Sequence, residues 1–215
     1  MSRWQLSLLS LVALNALSCG LLSLGPRALP PVSAPPPAAV DVDPGAQLDS
    51  APPDAALAVS IADHIGRYDT GLTEYELAEL GRTIVAEARR HELDPTLILA
   101  VMNVESHYDN FAVSPVGAMG LMQVMPKTGE ELAQKLGIPW RGSQTLFDPT
   151  ANVRLGVAYL KQLSERYGSM HTALAAYNWG PGRIDRRLRR GASLPKIYPH
   201  RVREAHGATQ LERPS

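Results

Sequence analysis

The chain has 215 residues, enough for one globular domain with a sizeable core and too few for two ordinary domains plus a long linker. Lys plus Arg and Asp plus Glu number 21 each, so no charge imbalance points to nucleic acid or to an acidic substrate. A single cysteine excludes an intramolecular disulfide and a cysteine-based zinc site. The six histidines show no i, i+4 pairing and no carboxylate-rich calcium loop is present, so neither a metal nor a cofactor is expected.

Residues 1–25 read as an export signal or a membrane anchor: Trp4 to Pro26 carries no charge, is rich in leucine and follows Arg3. The apolar run is long for a cleaved signal, which leaves a retained anchor open. Ala16-Leu17-Ser18-Cys19 resembles a lipobox, in which Cys19 would be lipidated. An unmodified cysteine inside an apolar segment is the equal alternative. Residues 26–59 shift to proline and alanine and read as an extended spacer, a tether between membrane and domain. The folded domain is expected over 60–207, with a frayed tail at 208–215.

Within the domain the periodicity is helical. Thr73 and Glu76 form a capping box ahead of Leu77, Leu80, Ile84, Val85 and Ala88 on one face. Asp94-Pro95 caps a second helix that carries Leu97, Val101 and Val104 and ends near His107. A shorter helix runs from Pro126 to Leu136. Asp148-Pro149 starts another, with Val153, Gly156, Val157, Leu160 and Leu163 at helical spacing up to Gly168. Met170 to Tyr177 is a further apolar segment, closed by a tight turn at Asn178 to Gly182. Period-two runs are scarce, so any sheet is small and falls near Ala112 to Val124. The fold class is mainly α, a helical domain with a small β and loop region.

Glu105 sits in the last turn of the Asp94-capped helix. The partial negative charge of a helix C-terminus and desolvation by Met102, and by Leu121 or Met122, both raise the pKa of a carboxyl placed there. A carboxylic acid that keeps its proton near neutral pH is what protonation of a leaving glycosidic oxygen requires. A glutamate at a helix end is otherwise most often a solvated surface residue.

Glu105-Ser106 is followed by Ser114, Gly117-Ala118, Gly120-Leu121-Met122-Gln123-Val124-Met125-Pro126 with Thr128, and later by Ala176-Tyr177-Asn178. Over about Leu72 to Tyr198 the chain resembles a lytic transglycosylase of the soluble, lysozyme-like type, glycoside hydrolase family 23. Asp148-Pro149, Asn152, Gly156 and Tyr159-Leu160 resemble the helix between that family's motifs. The resemblance implies an α+β lysozyme-like fold with a central substrate cleft. It makes Glu105 the catalytic acid and base, with Ser106 helping to hold the site and substrate. Gln123, Tyr177 and Asn178 then line the glycan groove, with Met122 and Tyr198 as further candidates. The substrate implied is peptidoglycan, cut between N-acetylmuramic acid and N-acetylglucosamine to leave a 1,6-anhydromuramyl end, in the periplasm or cell envelope.

The residue chemistry is compatible with those roles. Gln123 offers donors and an acceptor to a sugar's N-acetyl or hydroxyl groups, and Tyr177 can hydrogen-bond to Glu105 or to substrate. Met122 and Met125 fit a packing role better, because methionine fills irregular core gaps. Trp179 either stacks on a sugar face or anchors the core. Asp109 is the nearest second carboxylate, in a Tyr108-Asp109-Asn110 stretch typical of a turn cap. Arg183, Arg186, Arg187, Arg189 and Arg190 form either a solvated helix face or a basic patch for acidic peptide stems or an anionic membrane. A lysozyme-type hydrolase and a non-catalytic glycan-binding protein are the competing functions.

Overall fold

The computed structural model describes residues 53–209 and 211. The export segment, Cys19 and the spacer as far as residue 52 lie outside the described residues, as does the tail apart from 208, 209 and 211.

Helix α1 spans Pro53–Gly66, which corrects the expected spacer boundary: residues 53–59 are helix. Averaged composition hid the change, because the prolines stop at Pro53, where a first-turn proline is tolerated, and Ala and Leu take over. Ala58, Ile61 and Ile65 are its buried face. Helix α2, Glu74–His91, begins at the expected capping box: the Thr73 hydroxyl accepts from the Glu76 amide at 3.3 Å and the Glu76 carboxylate accepts from the Thr73 amide at 2.8 Å. The α1–α2 crossing is close. A Cβ on Gly81 would lie 2.2 Å from the Ala58 carbonyl oxygen.

Helix α3, Pro95–Ser106, has Asp94 as its cap, accepting from the Thr96 amide at 2.8 Å. Ile98, Leu99, Ala100, Val101 and Met102 are all buried, so α3 is enclosed on every side and forms the axis of the core. His107 closes it in the left-handed conformation. The following loop contains two isolated antiparallel bridges, Val113 with Met119 and Met119 with Val124. This is the expected small β region. Then follow α4 (Pro126–Leu136), a short 3-10 helix (Ser143–Phe147) and α5 (Pro149–Tyr167), capped by Asp148 through the Ala151 amide at 2.9 Å.

Helices α6 (Met170–Trp179), α7 (Pro181–Arg189) and α8 (Ile197–Ala208) complete the domain. Helix α8 was not apparent in the sequence, since Pro199 resembles a break and its apolar contacts reduce to Tyr198, Val202 and Ala205. It lies beside α3 in the opposite direction. His206 near its end is 3.0 Å from Asp94 Oδ2 and 2.9 Å from Thr96 Oγ1 at the start of α3. Tyr198 near its start reaches Glu105 at the end of α3. The domain is mainly α.

The α1–α2 crossing gives a test against intrinsic propensity. Alanine normally stabilises a mid-helix position relative to glycine by about 1 kcal/mol. Gly81→Ala is expected instead to destabilise by about 1–3 kcal/mol, the cost of overpacking, in urea unfolding of the full chain. A gain in stability would contradict the close approach.

Candidate active site

Glu105 enters the site from the last turn of α3, half-buried. The Tyr198 hydroxyl donates to its Oε1 at 2.6 Å. Burial pushes the Glu105 carboxyl up to about 7, against the opposing pull of that hydrogen bond and of the Arg201 guanidinium. Tyr198 is itself buried, and burial together with the neighbouring Glu105 charge holds its hydroxyl well above the usual phenol range. It therefore remains a donor at any physiological pH. Tyr177, for which either Glu105 or substrate was open as a partner, donates its hydroxyl hydrogen to the Met122 carbonyl at 2.8 Å and not to Glu105.

The loop around Met119 to Met122 is held from three helices. From α3, the Ser106 hydroxyl is 2.8 Å from the Leu121 carbonyl and 3.2 Å from the Met102 carbonyl. From α5, the fully buried Asn152 donates to the carbonyls of Met119 at 2.9 Å and Leu146 at 2.8 Å, and accepts from the Met122 amide at 2.8 Å. From α6 comes the Tyr177 bond. These contacts satisfy backbone groups that would otherwise be buried without partners. Gly120 is required twice over: its φ is +76°, and a Cβ would lie 2.3 Å from both Asn152 Nδ2 and the Leu146 oxygen.

The candidate residues separate into those that face space and those that do not. Met122 is fully buried, and a Cβ on Gly156 would sit 2.5 Å from its sulfur, so it packs against α5 and does not line the groove. Gln123 stands at φ +48° with Nε2 donating to the Ala112 carbonyl at 3.0 Å and the Gly120 carbonyl at 2.9 Å. Both amide hydrogens are thus used within the loop. Ser106 likewise spends its one hydrogen on the loop.

A cavity of about 320 Å³ is lined by Gln123, Tyr159, Tyr177, Asn178 and Trp179. A second of about 320 Å³ is lined by Asn178, Trp179, Lys196, Tyr198 and Arg201 among others. Asn178 and Trp179 belong to both and stand where they meet. Trp179 is 38% exposed, with Arg183 and Arg187 guanidinium carbons 5.3 and 5.7 Å from its ring centroid, so it is not a core anchor. Asp109 accepts from the Phe111 amide at 2.8 Å, as a turn cap does. A larger cavity, about 590 Å³, opens between α1 and α2 over Ala58, Ala62 and Leu77.

Two contributors had no role assigned in the sequence. Asn152 shares one face of α5 with Asp148 and Gly156, at i−4 and i+4, and a polar residue plus a glycine on an otherwise apolar stripe was the available signal. Arg201 and the role of Tyr198 depended on α8, which the pattern did not reveal.

The transglycosylase SLT domain profile matches residues 82–198, more than half of the chain and a span that holds Glu105, Asn152, Tyr177 and Tyr198. The chain belongs to the transglycosylase SLT domain family. It is 37% identical over 120 residues to a transglycosylase of Enterobacteria phage PRD1, which covers 56% of this chain and 40% of the phage protein. It is also 37% identical over 98 residues to the soluble lytic murein transglycosylase of Salmonella typhimurium, which covers 45% of this chain and 15% of that protein. This SLT-domain chain therefore spans well under half the length of either relative. Among solved structures, an inactive mutant of the lytic transglycosylase Slt from Pseudomonas aeruginosa is 38% identical with a TM-score of 0.48, covering 60% of this chain and 22% of that one.

Asn152 gives this SLT domain's structural test. Asn152→Ala strands a buried amide and two carbonyls, and is expected to cost about 2–5 kcal/mol in denaturant unfolding. A loss under about 0.5 kcal/mol would show that the loop does not depend on α5.

Proposed function

We propose that this chain is a peptidoglycan lytic transglycosylase with Glu105 as its single acid and base. The observation that carries the reading is the environment of that carboxyl, half-buried, bonded to Tyr198 and held at about 7. Near neutral pH such a group has both protonation states within reach, which a residue acting first as acid and then as base requires.

In the first step the Glu105 proton passes to the oxygen joining N-acetylmuramic acid to N-acetylglucosamine, and the bond from that oxygen to the muramyl C1 breaks. The Glu105 carboxylate left behind is stabilised by the Tyr198 hydroxyl and the Arg201 charge. It then takes the proton of the muramyl C6 hydroxyl as that oxygen bonds to C1. The products are a free N-acetylglucosamine end and a 1,6-anhydromuramyl end. No water is consumed, and Glu105 returns protonated.

A hydrolase of the two-carboxylate kind needs a second acid across the scissile bond. Asp109, the nearest in sequence, is engaged as a turn cap. This favours intramolecular attack by the C6 hydroxyl. Asn178 and Trp179, between the two cavities, are the groups assigned to contact the glycan. Gln123 and Ser106 support the loop, and Tyr177 holds it from α6. The export-type N-terminal sequence supports action in the cell envelope, on peptidoglycan strands, with attachment through that segment or Cys19 as one form of anchoring.

The test is release of soluble fragments from purified sacculi by the full chain and by its Glu105→Gln variant, weighed by mass spectrometry. Wild type is expected to release fragments one water lighter than hydrolysis products, at a rate that falls as pH rises through about 7 and the acid form is lost. Glu105→Gln is expected to lower release by about a thousandfold. Fragments of full hydrolytic mass would mean a muramidase, and no release from either protein would mean a glycan-binding role.

A further inference from the structure

Helix α1 precedes the span that the SLT profile matches, yet it reaches the turn that follows Glu105. Contacts along its length fasten it to the core. Near its start Asp54 pairs with Arg89 of α2. At its middle Ala58 crosses Gly81 too closely to admit a side chain there. Near its end His64 Nε2 stands 3.2 Å from the hydroxyl of Tyr108. Tyr108 is fully buried and belongs to the turn just beyond Glu105 and Ser106.

The backbone of that turn would not hold its shape unaided. His107 and Tyr108 have φ of +53° and +65°, although neither is glycine. One left-handed residue closes many helices, but two bulky ones in succession are costly and persist only where their surroundings over-determine them. Those surroundings are the end of α1 and the linker after it. The Tyr68 and Tyr108 ring centroids are 4.5 Å apart, and the His64 ring meets Tyr108 edge-on at 5.7 Å. The Thr70 carbonyl accepts from the Asn110 amide at 3.1 Å, and a Cβ on Gly71 would lie 2.9 Å from the Phe111 ring. Residues 64–71 thus grip residues 108–111. Burial and the Arg67 charge hold the His64 ring below the usual histidine range, and burial holds the Tyr108 hydroxyl above the phenol range. A neutral imidazole therefore faces a protonated hydroxyl, and the pair can bond.

We propose that His64 is a positioning residue for Glu105, acting through Tyr108. The bond keeps the strained turn in place, and the turn fixes the end of α3 from which Glu105 meets Tyr198. Its consequence for catalysis rests on the transglycosylase reading, whereas the setting of Glu105 can be followed apart from activity. Where the turn relaxes, the helix end frays and water reaches the Glu105 carboxyl, so the desolvation that raises it is lost.

The experiment follows the Glu105 carboxyl by carbon-13 NMR in the full chain and its variants, beside kcat and KM on soluble glycan strands. His64→Ala and Tyr108→Phe are each expected to move the Glu105 midpoint down from about 7 toward the ordinary carboxylate range. At about pH 7 kcat should then fall about three- to tenfold with KM unchanged, and recover near about pH 5, where the carboxyl is protonated in every variant. The double variant is expected to match the single ones, since both remove one interaction. His64→Gln, whose amide still bonds a hydroxyl, is expected to keep the wild-type midpoint. Urea unfolding of the same proteins separates this from general destabilisation: less stable variants with an unmoved Glu105 midpoint would overturn the proposal and leave the transglycosylase reading intact. So would a midpoint that falls equally in His64→Gln. Should His64→Ala not fold, Tyr108→Phe carries the comparison. Wild type that cuts no glycan would remove the transglycosylase reading, and the NMR comparison would still decide the positioning.

Discussion

The hydrogen bond from Tyr198 to Glu105 joins the last helix of the domain to the acid at the end of the central one. An apolar setting alone would drive the Glu105 carboxyl upward with no limit but burial. The Tyr198 hydroxyl and Arg201 oppose that drift, and the balance settles near 7. Both opposing groups come from α8. Docking of α8 on α3 is thus the condition for the acid's properties, and the same pairing is fastened at its far end by His206 on Asp94 and Thr96. Asp94 caps α3 as well, so one carboxylate starts the helix that carries Glu105 and anchors the helix that tunes it.

The loop from Met119 to Met122 is irregular backbone, and it keeps its shape because side chains from α3, α5 and α6 satisfy it. Ser106, Asn152 and Tyr177 each reach a carbonyl between Met119 and Met122. Residues that would suggest ligand contact by type are therefore engaged in holding the loop. Asn178 and Trp179, which line both cavities, sit at the end of α6, where Gly180 and Pro181 turn the chain into the basic helix α7. The acid, the cavities and the basic helix are consequently built from separate parts of the chain around one buried axis.

Much of this was legible because local rules governed it. The capping box at Thr73, the Asp-Pro starts at Asp94 and Asp148, and the small β region each follow from side chains acting on neighbouring backbone. The raised carboxyl of Glu105 also followed from its place at the end of an apolar helix. Long-range relations were not legible. Nothing local says that Tyr198 is 93 positions away in sequence yet bonded to Glu105, or that Met122 is turned inward against Gly156. The start of α1 was missed for a different reason: a window average over prolines and alanines cannot separate a spacer from the helix that follows it.

The most direct test of the central claim is the titration of the Glu105 side-chain carboxyl in the full chain, followed by carbon-13 NMR and assigned by its disappearance in Glu105→Gln. A pKa of about 7, rising further in Tyr198→Phe as a stabilising donor to the charged form is lost, is the predicted result. A value near 4.5, the ordinary one for a glutamate, would mean that Glu105 is solvated and ionised at neutral pH, and would contradict its role as the acid.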